Sequence, residues 1–231
     1  MENTIERSQL LGEIVTNDFR AAGIFKEAGI DFCCGGKKSV EDACKEKNID
    51  PETMLKKLQE LEVTPATPGN NYNEWALDFL CDYIVNTHHS FVRKNLPELI
   101  FYTQKIASVH GDNHTELREV EALFSKVNEE LTQHMKAEEE VLFPAIKAAL
   151  HTKSEESRQL IRSEIARMAD EHEFAGGAMD QINELTGNYT VPADACNTYL
   201  VALKLLEQFE DDLHVHVHLE NNILFEKALQ L

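Results

Sequence analysis

The sequence predicts an all-α protein: an antiparallel four-helix bundle over residues 73–231, preceded by a small helical, cysteine-containing unit over residues 1–64. Three observations lead there. Four long segments carry apolar residues every three or four positions, which is the helical and not the strand period. Turn signals are scarce inside those segments. Between the two parts, "EVTPATPGNNYN" at residues 62–73 gathers prolines, a glycine and asparagines that cannot continue a helix, and so reads as a linker.

Ahead of that linker, one helix is expected from about Asn17 to Ala28, with Phe19, Ala22 and Phe25 on one side and Gly29 as its stop. Ser39 with Asp42 three residues on resembles a capping box, and Asp50 followed by Pro51 supplies an N-cap and a first helical position. After it, the first long segment carries Cys81, Val85, Val92, Leu96 and Leu99, with Pro97 inside. The second carries Val120, Phe124, Val127, Leu131, Val141 and Ala145. The third carries Ile161, Ile165, Met168, Ala175, Met179 and Ile182, and "LTGNYTVP" ends it. The fourth runs from about Ala193 with Leu206, Phe209, Leu213 and Leu224. Four amphipathic helices of this length make a bundle.

Composition narrows the function. The formal charge of −19 opposes binding to a phosphate backbone, so no nucleic-acid partner is expected. No stretch approaches a membrane span and the chain opens without a basic, then apolar, leader, so a cytoplasmic protein without a membrane partner is expected. Five cysteines suggest thiols and not a disulfide framework.

"LHVHVHLENN", residues 213–222, places histidines at every second position. At about 100° per residue, His216 shares the stripe of Ala202, Leu206, Phe209, Leu213 and Leu224, whereas His214 and His218 fall on the far side and are expected to face water. Glu220, one turn after His216, joins the stripe. The same intrusion recurs: His134 and Glu138 continue the stripe of Leu131, His172 follows Met168 by four, and His89 follows Val85 by four, with His88 turned about 100° away. A single buried histidine is usually a hydrogen-bonded core residue. Four imidazoles and two carboxylates converging from four helices are costly to desolvate unless a metal centre pairs them all.

Six ligands exceed the need of tetrahedral zinc, and ions that seek only oxygen do not favour four imidazoles. Two metals, each with two histidines and both bridging glutamates, have four protein ligands apiece; an oxo or hydroxo bridge adds a fifth and leaves one position open. Iron suits this set, with manganese as the alternative.

These motifs resemble those of the hemerythrin-like di-iron proteins, and more closely the repair of iron centres family, bacterial iron-sulfur cluster repair proteins. The likeness covers "GIDFCCGG" at 29–36, "HHSFVRKNLPEL" at 88–99, "HMKAEEEVLFPAI" at 134–146, "DEHEFAG" at 170–176 and "HVHLENNILF" at 216–225. It implies two non-haem iron ions on His89, His134, Glu138, His172, His216 and Glu220. It further implies a role in restoring damaged iron-sulfur proteins, by donating iron or removing nitric oxide. Reduction of nitric oxide or oxygen species at the di-iron centre, and sensing of a diatomic ligand, stay open as alternatives. Where oxygen-carrying hemerythrins have a further histidine four residues after the third-helix ligand, this chain has Gly176, implying a more open site. Glu130 and Glu171 are candidates for supporting or access-path groups.

Cys33 and Cys34 are adjacent, closer than disulfide geometry favours, and so remain available for exchange with a partner, electron transfer or soft-metal binding, flanked by Gly35 and Gly36. Dimerisation is an alternative role for the N-terminal unit, leaving a homodimer open. Cys44, Cys81 and Cys196 are expected to fill core.

Overall fold

A computed structural model describes residues 5–152 and 154–231 except 64–70, and its elements are helices, with one isolated antiparallel bridge between Leu10 and Ser39. In chain order the helices are α1 (Leu11–Asn17), α2 (Ala21–Glu27), α3 (Val40–Glu46), α4 (Pro51–Val63), α5 (Leu77–Ile84), α6 (Ser90–His110), α7 (Glu116–Ala137), α8 (Phe143–Ala149), α9 (Glu155–Leu185), α10 (Asn197–Leu219) and α11 (Phe225–Ala228). Residues 64–70 of the expected linker lie outside the described residues, and Tyr72–Glu74 forms a short 3-10 turn. The chain divides into two compact units. One holds the described residues up to Leu80 together with Val217–Gln230, and the other holds Cys81–His216 with Leu231.

In the first unit, the helix expected from about Asn17 to Ala28 is α2, which starts at Ala21, and α1 precedes it as a further helix that the periodicity did not single out. Asp18 makes the corner between them: its Oδ1 accepts from the Arg20 backbone N–H at 3.0 Å, an Asx-type bond that ends α1 and starts α2. Arg20 also donates to the Leu61 carbonyl at 2.8 Å, holding the start of α2 to the end of α4. The two caps expected downstream are present. Ser39 Oγ accepts from Asp42 N at 3.1 Å, and Asp50 Oδ2 accepts from Thr53 N at 3.1 Å, with Pro51 opening α4. Leu11, Phe25, Val40, Cys44 and Leu58 are buried in this unit.

The second unit is the antiparallel bundle. The start of the first long helix meets the end of the second, where Lys147 pairs with Asp82 at 2.5 Å. The end of α9 meets the start of α7, where Gln181 donates to Glu119 at 2.7 Å. Phe209 of α10 packs edge-on to Phe124 of α7 and lies beside Phe91 of α6.

Three π-helical turns interrupt these long helices, at Val85–His89, Glu138–Leu142 and Glu220–Leu224. A π turn carries one residue more than an α turn, so a wheel drawn at the α period slips beyond it. The slip is visible in the second stripe: Val141, expected in the core, is exposed, while Leu142, Phe143 and Ile146 are buried in its place.

Candidate metal centre

All six residues singled out by the stripe argument are buried, none more than 1% exposed. Helical register puts them there, and the π turns aim three of them: His89 closes the first π turn, Glu138 opens the second and Glu220 opens the third. Within the bundle unit, His89, Glu138 and His216 offer ligand atoms within 4.8 Å of one another, and so do His134, Glu138 and His172. Glu138 is common to both groups. Its Oε2 stands 3.2 Å from His89 Nε2 and 3.3 Å from His134 Nε2, while His134 Nε2 and His172 Nε2 face each other at 3.0 Å. Glu220 follows His216 by one turn along the same continuous helix and is fully buried.

The orientation of two imidazoles is fixed from behind. His89 Nδ1 lies 2.6 Å from Glu139 Oε1, and His134 Nδ1 lies 2.8 Å from Glu171 Oε2. A carboxylate on Nδ1 holds the hydrogen there, which makes Nε2 the nitrogen that can offer its lone pair to a cation. Burial pushes the Glu139 carboxyl up, but hydrogen bonds from His89 and Arg93 outweigh it and hold it below the usual range. The bond from His134 holds Glu171 down against its burial, with Arg167 adding to the effect. Both therefore carry the charge that anchors an imidazole N–H. The donor set fits a pair of metal ions: two Nε2 atoms converge on a buried carboxylate oxygen, and each bears its hydrogen on the far nitrogen.

Glu139 was not legible in the sequence. It is masked by its neighbours in "AEEEV", and only the π turn that starts at Glu138 brings it behind His89. On its other side it lines a groove of about 440 Å³ with Arg93, Pro97, Thr132 and Lys136. Glu171 supports His134, whereas Glu130 is exposed. His88, next to His89, is also buried, and its Nδ1 pairs with Asp212 at 3.0 Å while its ring stacks on His216 at 5.5 Å.

Two expectations are overturned. His218 does not face water: it is fully buried between Phe19 and Phe32, with ring centroids 6.0 and 5.8 Å away. These side chains come from the beginning of the chain and cover a helix face that is polar by pattern. Burial lowers the His218 pKa to about 4, so its ring is neutral, and Asn222 Nδ2 donates to its Nδ1 at 3.0 Å. His214 is half-buried. Cys196 does not fill core either. It is exposed before α10, 3.2 Å from His110 Nε2, and that hydrogen bond lowers the thiol pKa to about 7. Cys44 and Cys81 are buried as expected, and none of the five cysteines forms a disulfide. Cys33 is buried and Cys34 half-buried, with Asp31 beside them.

The hemerythrin HHE cation-binding domain matches residues 82–228, and a family described as a domain of unknown function matches residues 7–62. The iron-sulfur cluster repair protein YtfE of Yersinia pseudotuberculosis is 35% identical over 224 residues, covering 97% of this chain and 98% of that protein. The YtfE of Yersinia pestis is similar to the same extent. The chain belongs to the YtfE-like iron-sulfur cluster repair protein family. Within this family member the HHE match encloses all six candidate ligands, and the N-terminal match encloses the double cysteine. Among the described residues no helix is long and apolar enough to cross a membrane.

Proposed function

We propose that this chain restores iron-sulfur clusters damaged by nitrosative or oxidative stress, working in the cytoplasm. In this reading His89, His134, Glu138, His172, His216 and Glu220 would hold a pair of iron ions, and Cys33 and Cys34 act as the thiols that meet the client protein. The observation that carries it is the convergence of His89 and His134 on Glu138, each imidazole locked from behind by a carboxylate. Mixed imidazole and carboxylate ligands favour iron over calcium or magnesium. When bound, the iron pair would supply a redox-active site for nitric oxide and a source of ferrous ions for clusters.

The residues of the chain divide the work. Glu139 and Glu171 hold protons on His89 Nδ1 and His134 Nδ1 and so keep the ligand nitrogens facing inward. Gly176, half-buried on the helix of His172, puts no side chain where a further ligand would stand. The N-terminal region, residues 1–64, carries the thiols, and residues 73–231 carry the metal chemistry.

The test is to add the iron-loaded protein to a cluster enzyme inactivated by nitric oxide, and to follow recovery of that enzyme and nitrous oxide release in parallel. Recovery without nitrous oxide supports iron donation. Recovery that tracks nitrous oxide supports removal of nitric oxide by reduction. No recovery in either assay overturns the repair reading.

A further inference from the structure

The double cysteine lies in a turn that is held from both sides. Asp31 grips it from within: Oδ1 accepts from Cys33 N at 2.9 Å and Cys34 N at 3.1 Å, and Oδ2 accepts from Gly35 N at 2.8 Å. Asn222 grips it from outside, its Nδ2 donating to the carbonyls of Phe32 and Cys33 at 3.2 Å each. The two glycines nearest Asn222 exist for this approach. A Cβ at Gly36 would stand 2.3 Å from Asn222 Oδ1, and one at Gly12 would stand 2.5 Å from it. The two carbonyls share one N–H of Asn222, and His218 Nδ1 accepts the other at 3.0 Å, completing the clamp.

That clamp fixes three side chains of ligand type. Cys33 Sγ is 3.0 Å from Asp31 Oδ1, and the carboxylate and both thiols place ligand atoms within 4.8 Å of one another. In a tetrahedral site with metal to sulfur bonds of about 2.3 Å, ligand atoms stand roughly 3.5 to 4 Å apart, so the spacing needs only small side-chain rotations. Cys33 is buried and Cys34 half-buried, which closes one side and leaves the other open. Adjacent cysteines do not readily form a disulfide with each other, so a function in common calls for a shared ligand. The overall charge of −19 favours a cation.

We propose that Asp31, Cys33 and Cys34 form a mononuclear site for a divalent metal ion, at which one ferrous ion is held on its way to a client. The transit role rests on the iron-donation reading above; the metal site itself does not. Binding forms two metal to sulfur bonds and one metal to oxygen bond, each thiol releases one proton to solvent, and no electron is transferred. Three protein ligands leave a fourth tetrahedral position, which a cysteine thiolate of the receiving protein can take.

Cobalt(II) is the probe, added without oxygen to full-length protein whose bundle already holds iron. One further equivalent is expected to bind, with thiolate-to-cobalt charge-transfer absorption and release of about one proton from each thiol. Cys33→Ser with Cys34→Ser abolishes the absorption and leaves the bundle iron unchanged. Asp31→Asn keeps the absorption and weakens binding by tenfold or more. Absence of charge-transfer absorption in the unaltered protein, or binding without proton release, overturns the site. Equal affinity in Asp31→Asn removes the carboxylate from it. The bundle iron is counted separately: cobalt binding in a protein that holds no iron pair would refute the di-iron reading alone, and an iron pair without cobalt absorption would refute this one alone.

Discussion

Glu139 Oε1 lies 2.6 Å from His89 Nδ1, and Arg93 donates to the same carboxylate oxygen, so one exposed edge of the bundle sets the direction of a buried imidazole. Replacing Glu139 with Ala frees the His89 ring to rotate and to move its hydrogen to Nε2. Loss of such a supporting carboxylate costs about 10 to 100-fold in metal affinity. Competition with a calibrated iron chelator measures it, and Glu139→Gln, which still accepts a hydrogen bond, is expected to lose less. Unchanged affinity in Glu139→Ala would show that packing alone holds His89.

Glu138 touches both histidine groups, and its substitution is expected to act on both metals together. The unaltered protein should hold about two irons per chain, as the ligand count requires. Glu138→Ala should fall well below one, and Glu220→Ala should behave alike. Elemental analysis after gel filtration reads the ratio, and retention of a single tightly held iron in Glu138→Ala would separate the two sites.

The three histidines of "HVHVH" should part company. His216→Ala removes a ligand and lowers iron content. His214→Ala, at a half-buried position, leaves iron content and melting temperature close to the unaltered protein. His218→Ala leaves iron content near normal but opens a hole between Phe19 and Phe32 and removes the acceptor for Asn222. A large-to-small change of this kind costs about 2 to 4 kcal/mol, read as a lower denaturant midpoint. Iron loss in His218→Ala equal to that in His216→Ala would count against this division.

Cys196 is the thiol to watch as pH changes. Its pKa of about 7, below the ordinary 9.0, follows from the hydrogen bond with His110. A lowered value means more thiolate at neutral pH, so alkylation at Cys196 should rise steeply between about pH 6 and 8 and level off above. Cys33 moves the other way, its thiol pushed up by the neighbouring Cys34 and by burial, and should stay slow across that range. Peptide mass mapping of timed alkylation separates the two, and His110→Phe should move the Cys196 midpoint upward by one unit or more. A midpoint that stays near 7 in that variant would assign the shift to the backbone.

How much of this was legible in the sequence depended on where each residue sits relative to a π turn or a distant segment. His216 could be read because the part of α10 before it is regular, so the stripe from Ala202 to Leu213 predicts its direction. Val141 and Glu139 could not, because both lie inside the turn from Glu138 to Leu142, where the α wheel no longer holds. His218 looked solvated because its own helix face is polar, and its cover arrives from residues almost two hundred positions earlier. The break between α1 and α2 is carried by one aspartate side chain, for which periodicity has no signal. Cys196 looked like core because it is small and apolar, yet it precedes the helix and has no stripe to join.

The π turns also change what counts as a mild mutation. Each is an α-helix with one residue inserted, and losing any one residue from Val85–His89, Glu138–Leu142 or Glu220–Leu224 would let the backbone close into regular α-helix. In an ordinary buried helix a single deletion rotates everything downstream by about 100° and ruins the core. Here the helix would become locally more regular while ligand and anchor turned away from each other. Among diverging descendants of this chain, three short windows are therefore where a one-codon deletion spares folding and erases metal chemistry, leaving a helical bundle whose ancestry is plain and whose occupation is gone.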